Sequence, residues 1–236
     1  SAIYLRDGGT LYLKNPEIHG YGEMTQEDLR NELGSKYGFC AAVLSNQKTS
    51  HVTLVNPKIV CHEQSTANGA YAIFGGAVVI EGGTIDTCNR QGHGVDASYG
   101  GHVYCNGTVI HTGGRNSGAL ATDFQGGYIT VRDIDATTEI PGSPGIYTAG
   151  KSIITAYNSK FLSKGCEAVM VAHSLGHTYL YDCELTGTVA LNTHNSMSPE
   201  YSYIHMFGGK LNSSKASILC AEDGKAVMPL HQLHMV

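Results

Sequence analysis

The stretch Gly92-His-Gly-Val-Asp-Ala-Ser-Tyr-Gly-Gly101-His-Val-Tyr-Cys105, followed by Gly118-Ala-Leu-Ala-Thr-Asp-Phe-Gln-Gly-Gly127-Tyr-Ile-Thr-Val131, decides the fold class. Each copy has a small-residue segment, a Gly-Gly pair and an alternating apolar run. The pairs Gly75-Gly76, Gly100-Gly101 and Gly126-Gly127 recur every 25 or 26 residues. A unit of that length cannot bury its apolar side alone, and stacking successive units into a solenoid solves the problem.

Working outward from these copies, Ala77-Val-Val-Ile80 is a further apolar run, and Ser152-Ile-Ile-Thr155 and Thr178-Tyr-Leu-Tyr181 are more degenerate ones. Alternation with β-branched and aromatic residues reads as strand. Every run meets a turn, at Asn56-Pro57, Gly82-Gly83, Asn106-Gly107, Arg132-Asp133, Asn158-Ser159, Asp182-Cys183 and Gly208-Gly209, again 24 to 26 residues apart. Gly and Asn take positive φ there at small cost. Aligning the segments that start at Gly69, Gly94, Gly118, Gly145, Glu167 and Ala190 places Tyr71, Asp96, Leu120, Tyr147, Val169 and Asn192 at one position, predicted to point outward between small inward neighbours. Three strands per period predict an all-β fold, a right-handed parallel β-helix of roughly nine coils. An antiparallel sandwich would set tight turns at intervals of about 8–12 residues instead.

The rhythm breaks once, between Asn15-Pro16 and Asn56-Pro57, where the interval grows to 41 residues. Thr25 as N-cap, Asp28 three residues on and Gly34 after Leu33 predict a short helical excursion over 25–34. Residues 1–236 read as a single β-helix domain, or as a trimmed or mature form of a longer chain.

With 30 Gly, no Trp and only 15% charged residues, the composition suits short strands and turns rather than helices. The net charge of −5 and the scattered Lys and Arg argue against a nucleic-acid partner. No apolar run approaches the roughly 18 residues of a membrane span. The seven cysteines lack CxxC or Cys/His zinc spacing and read as buried thiols, with Cys61 and Cys88 placed to pair or to stack. Neither a metal nor a cofactor is expected: Gly224-Lys225 lacks the earlier glycine of a phosphate loop, and His231 and His234 lack a third ligand.

The runs from Gly92, Gly118, Ser143-Pro-Gly-Ile-Tyr-Thr-Ala-Gly150 and Gly165-Cys-Glu-Ala-Val-Met-Val171 resemble a family of glycine-rich right-handed β-helix repeat proteins. Many of its members are bacterial and exported or surface-attached, so the resemblance implies the fold and an extracellular or cell-surface location, but no activity. Phe124-Gln125 stands where that family tends to show Arg-Gly, and Cys166 where Ser is usual. The wider pectate-lyase-like superfamily includes pectate lyases and polygalacturonases. Gly92-His93-Gly94 is similar to the Gly-His-Gly of polygalacturonases, whereas their Asn-Thr-Asp, Asp-Asp and Arg-Ile-Lys signals are absent.

Equivalent positions of successive coils lie about 4.8 Å apart, which brings Asp96 and Asp123 to roughly 5–11 Å, the range used by paired glycosidase carboxylates. Asp96 and Asp123 are therefore the candidate acid and base. His93, Tyr99, Tyr147, Glu167 and His173 are the candidate sugar-binding residues around them. Aspartate at a strand-to-turn corner also bonds backbone amides, which is a purely structural role. Two functions follow from the same face: a polysaccharide hydrolase or lyase, and a non-catalytic surface or adhesin-like module that binds glycan or serves as a stalk. Val169-Met-Val-Ala-His-Ser174-Leu-Gly176 imitates a lipase nucleophile elbow, but Thr178-Tyr-Leu-Tyr181 reads as strand where that elbow needs a helix.

Overall fold

The computed structural model describes residues 1–22, 38–62, 67–122, 126–173, 175–194, 201–215, 219–222, 225–227 and 234–235. Short strands fall into three parallel sheets of nine strands each, and consecutive strands of the chain always enter different sheets. The chain therefore winds as a parallel β-solenoid with three strands per turn. Val95–Ser98 belongs to the first sheet, His102–Asn106 to the second and Val109–Thr112 to the third. Among the described residues no helix is present; the helical excursion expected over 25–34 lies outside them.

The pattern repeats without a break for about six turns, from Val43 to Gly187. This regular body is shorter than the roughly nine coils expected. The remaining strands of each sheet belong to a first rung before Val43 and to two rungs after Gly187.

Strand alternation builds the core. In the second sheet, His102–Asn106 and Ile153–Tyr157 bury every other residue, so Val103, Cys105, Ile154 and Ala156 point inward. Ile59, Ile85, Ile110, Ala136, Phe161, Leu185 and Leu211 form the inward column of the third sheet. Phe161 follows small Ala136 and lies against Gly145, where an added Cβ would come within 3.2 Å of its own. One large side chain is thus accommodated by two small ones, as close packing requires. Burying each such aliphatic or aromatic side chain contributes about 1.5–3 kcal/mol.

The Gly-Gly pairs have two different physical causes. Tyr99 and Gly100 both sit at positive φ, 48° and 78°, which a glycine tolerates best. Gly101 instead faces the rung below: a Cβ there would lie 2.0 Å from the carbonyl oxygen of Ala72. The turns between the second and third sheets form a second left-handed column through Asn56, Gly82, Gly107, Asp133, Asn158, Asp182 and Gly208, the positions picked out from the sequence.

Hydrogen-bond register corrects one part of the sequence reading. Val95 aligns with Leu120, Leu120 with Ile146, and Ile146 with Val169. Leu120 and Val169 are therefore inward core residues, and the outward column runs Tyr71, Asp96, Ala121, Tyr147, Met170, Asn192. Matching Gly118 to Gly94 and Glu167 to Gly145 misplaced both strands, because Ala119 is the partner of Gly94 and Ala168 that of Gly145.

Candidate functional site

The outer side of the first sheet is covered where the coil begins. Ala70–Ile73 and Val95–Ser98 are buried on both faces, unlike the strands of the other sheets. Gly38 lies so close to Tyr71 that a Cβ would meet its ring at 1.7 Å, and Ala41, Leu44, Tyr71 and Ile73 form a small second apolar cluster. The Tyr71 hydroxyl donates to Ser98 Oγ at 2.8 Å within this layer.

Asp96 belongs to the same covered layer and is 0% exposed. Asn68 Nδ2 donates to its Oδ2 at 3.4 Å, and Asn68 in turn accepts the His93 backbone N–H at 2.8 Å. The candidate acid is thus part of a buried polar tie between rungs and does not line an open cleft. Asp123 lies outside the described residues; register places Ala121, not Asp123, beside Asp96 on the next rung. Ser174 also lies outside them, and a strand, His177–Tyr181, follows it as expected.

Two of the candidate binding residues do come together. At the corner between the third and first sheets, His93 and Tyr147 line one groove with Gln91, Asn116, Pro144 and Met170, enclosing about 280 Å³. These residues come from four consecutive turns of the solenoid, a length of roughly 14 Å at the spacing of parallel strands. None of the lining side chains is a carboxylate, a lysine or an arginine.

Buried hydroxyls hold the loops that frame the groove. Thr87, Thr112 and Thr138 each donate across the corner, to the carbonyls of Gly92, Ser117 and Ser143. Ser117 Oγ accepts from Gly92 N and donates to Asn89 O; Ser143 Oγ does the same one turn on, with Ser117 N and Gly114 O. Above this ladder Gln91, Asn116 and Gly142 occupy one left-handed corner column, with φ of 58°, 57° and 79°. The turn geometry places the Gln91 and Asn116 amides at the surface, where both are exposed. Sequence reasoning missed these two because matching Gly118 to Gly94 sets Gln91 against Arg115, whereas the register sets it against Asn116; their signal is an amide side chain four residues after Thr87 and after Thr112.

His93 is oriented by its neighbour rung. Its Nδ1 accepts the backbone N–H of Gly118 at 2.9 Å. An amide can only donate, so the ring carries its proton on Nε2. Tyr147 has Ala121 and Met170 as its rung neighbours in this column.

Cys166 borders the groove as a protonated thiol. Burial pushes its pKa up, and the hydrogen bond it donates to Glu167 at 2.6 Å adds to the rise, to about 12. A thiol so placed is a poor nucleophile. Glu167 also accepts from Asn192 Nδ2 at 3.2 Å, so both of its oxygens are engaged beside the groove. Tyr99 and His173 are elsewhere: both occupy left-handed positions at the corner with the second sheet, where Tyr99 stacks on Phe74 at 5.2 Å.

Cys40, Cys61, Cys88, Cys105, Cys166 and Cys183 are thiols rather than disulfides, and Cys61 aligns with Thr87, not with Cys88. Among the described residues no three His, Cys, Asp or Glu side chains converge to hold a metal ion, and no helix is long and apolar enough to cross a membrane. No family model matches the chain, and no match was found among curated proteins or among solved structures.

Proposed function

We propose that this chain is a non-catalytic β-solenoid module that binds uncharged glycan in the groove of His93 and Tyr147. The observation that carries the reading is the composition of that groove, which joins amides, an imidazole Nε2–H, a tyrosine and two apolar side chains across four rungs without one ionised group in its lining. Sugars need donors and acceptors for their hydroxyls and an apolar surface for their C–H faces, and binding sites of this kind combine few polar groups with apolar walls. An anionic ligand would find no cation there and would meet the Glu167 carboxylate nearby.

The catalytic alternative, a hydrolase or lyase working through Asp96 and Asp123, has less support. A general acid must reach the glycosidic oxygen, and Asp96 is fully buried on the covered outer side of the first sheet. An extracellular or cell-surface setting, where glycan polymers are met, accompanies the binding reading.

The test is affinity electrophoresis of the intact chain through gels containing uncharged or uronate polysaccharides. We expect retardation by at least one uncharged polymer and its reduction in Tyr147→Ala. Retardation by uronate polymers alone would overturn the reading.

A further inference from the structure

The second sheet carries an unrelated feature on its outer face. Tyr157, Tyr181 and Phe207 stack in one column at 4.8 and 4.9 Å, with ring planes within 12° of parallel. In a neighbouring column His177 stacks on Tyr203 at 4.9 Å, and between the two Tyr179 stacks on His205 at 4.5 Å. These separations are the spacing of parallel strands, so each ring uses its face on the ring of the next rung. Tyr181 has both faces covered, by Tyr157 and Phe207, and turns only its edge and hydroxyl outward.

None of the hydrogen bonds among the described residues uses the hydroxyls of Tyr157, Tyr181 or Tyr203. Across the five rungs from His102 to Phe207 the outward positions of this sheet hold one permanent charge, Arg132, whose guanidinium lies 4.6 Å over the Tyr157 ring. In a chain of net charge −5, this is a nearly uncharged face bearing a phenol or imidazole on successive rungs. Rings locked by mutual stacking lose little freedom when a ligand arrives.

We propose that this face is a second track, separate from the groove, for an uncharged, hydroxyl-rich polysaccharide lying along the solenoid axis and held by hydrogen bonds to the outward phenol hydroxyls. The proposal rests on the glycan reading given above and adds a site to it. Charge matching selects the occupant: a phosphate, sulfate or uronate on every unit would meet a single cation over five rungs, whereas a neutral polymer needs none. Because the ring faces are occupied, the mode differs from a sugar stacked flat on an aromatic side chain.

The experiment measures association of the intact chain with hydroxyethylcellulose, galactomannan, xyloglucan, dextran and polygalacturonate by calorimetry. It compares the wild type, Tyr147→Ala, the triple variant Tyr157→Phe/Tyr181→Phe/Tyr203→Phe, which keeps every stack and removes only hydroxyls, and the triple variant combined with Tyr147→Ala. We expect the triple variant to weaken binding of an uncharged polymer about tenfold or more, by the same factor with or without Tyr147. Unchanged binding in the triple variant, with loss in Tyr147→Ala, would overturn the track and leave the groove standing. Binding of no uncharged polymer by the wild type would overturn both, and a dimer that the triple variant dissolves would assign the face to a second copy of the chain instead.

Discussion

The backbone N–H of Gly118 donates to Nδ1 of His93 at 2.9 Å, tying one rung of the solenoid to the imidazole of the rung before it. The neutral ring is held as the Nε2–H tautomer, so the donor of the His93 side chain is Nε2. Nitrogen chemical shifts of the ring at pH 8 are expected to show a pyridine-like Nδ1 and a pyrrole-like Nε2. The opposite pattern, or fast exchange between the two forms, would remove the assigned role.

The two causes of glycine in the repeat separate on mutation. Gly101→Ala forces a methyl against the Ala72 carbonyl oxygen and is expected to cost about 3 kcal/mol. Gly107→Ala meets no atom within 4 Å and carries only the strain of φ +62°, about 1 kcal/mol. Chemical denaturation of the two variants checks the difference, and equal losses would contradict the close approach of the rungs.

Acid weakens the fold in two windows. Burial lowers the pKa of His177 below its ordinary 6.5, and burial with the charge of His177 lowers that of His205. The unfolded chain then takes up protons first, so the stability these two groups contribute is present above about pH 6.5 and is lost as the pH falls through their folded values. Glu17, paired with Lys58, and Glu139, paired with Lys164, also have lowered pKa values, and their share is lost only below about 4.5. Denaturation midpoints between pH 8 and 5 are expected to fall less in His177→Phe/His205→Phe than in the wild type. Parallel pH profiles would contradict the assignment.

Thiol labelling reports burial directly. Cys61 and Cys105 are buried and pushed up to about 12 by burial, Cys183 to about 11, whereas Cys88 is exposed. Of Cys40, Cys61, Cys88, Cys105, Cys166 and Cys183, only Cys88 is expected to react promptly with an aromatic disulfide reagent at pH 8. Prompt labelling of Cys105 would show that the core is open.

The fold was legible because two local demands recur in the chain: left-handed corners such as Asn56, Gly82 and Gly107, and glycine where rungs approach, as at Gly101. Register was less legible, since a glycine serving another purpose, Gly118, imitates the one at Gly94 and shifts Leu120 out of the core on paper. The burial of Asp96 could not be foreseen from its own strand. It depends on the layer that includes Gly38, Ala41 and Tyr71, and where an excursion lands is not written in a 25-residue period. His93 and Tyr147 share a groove because both lie near the same corner of successive rungs, while Gln91 and Asn116 were hidden by the same one-residue slip, which sets Gln91 against Arg115.

The account turns on a neutral binding groove in place of a working carboxylate pair. The most direct measurement incubates the intact chain with the uncharged polysaccharide that retards it most and follows both bound fraction and new reducing or unsaturated ends. Binding that Tyr147→Ala weakens, with no ends released, is the predicted result; ends released by the wild type and lost in Asp123→Asn would contradict it.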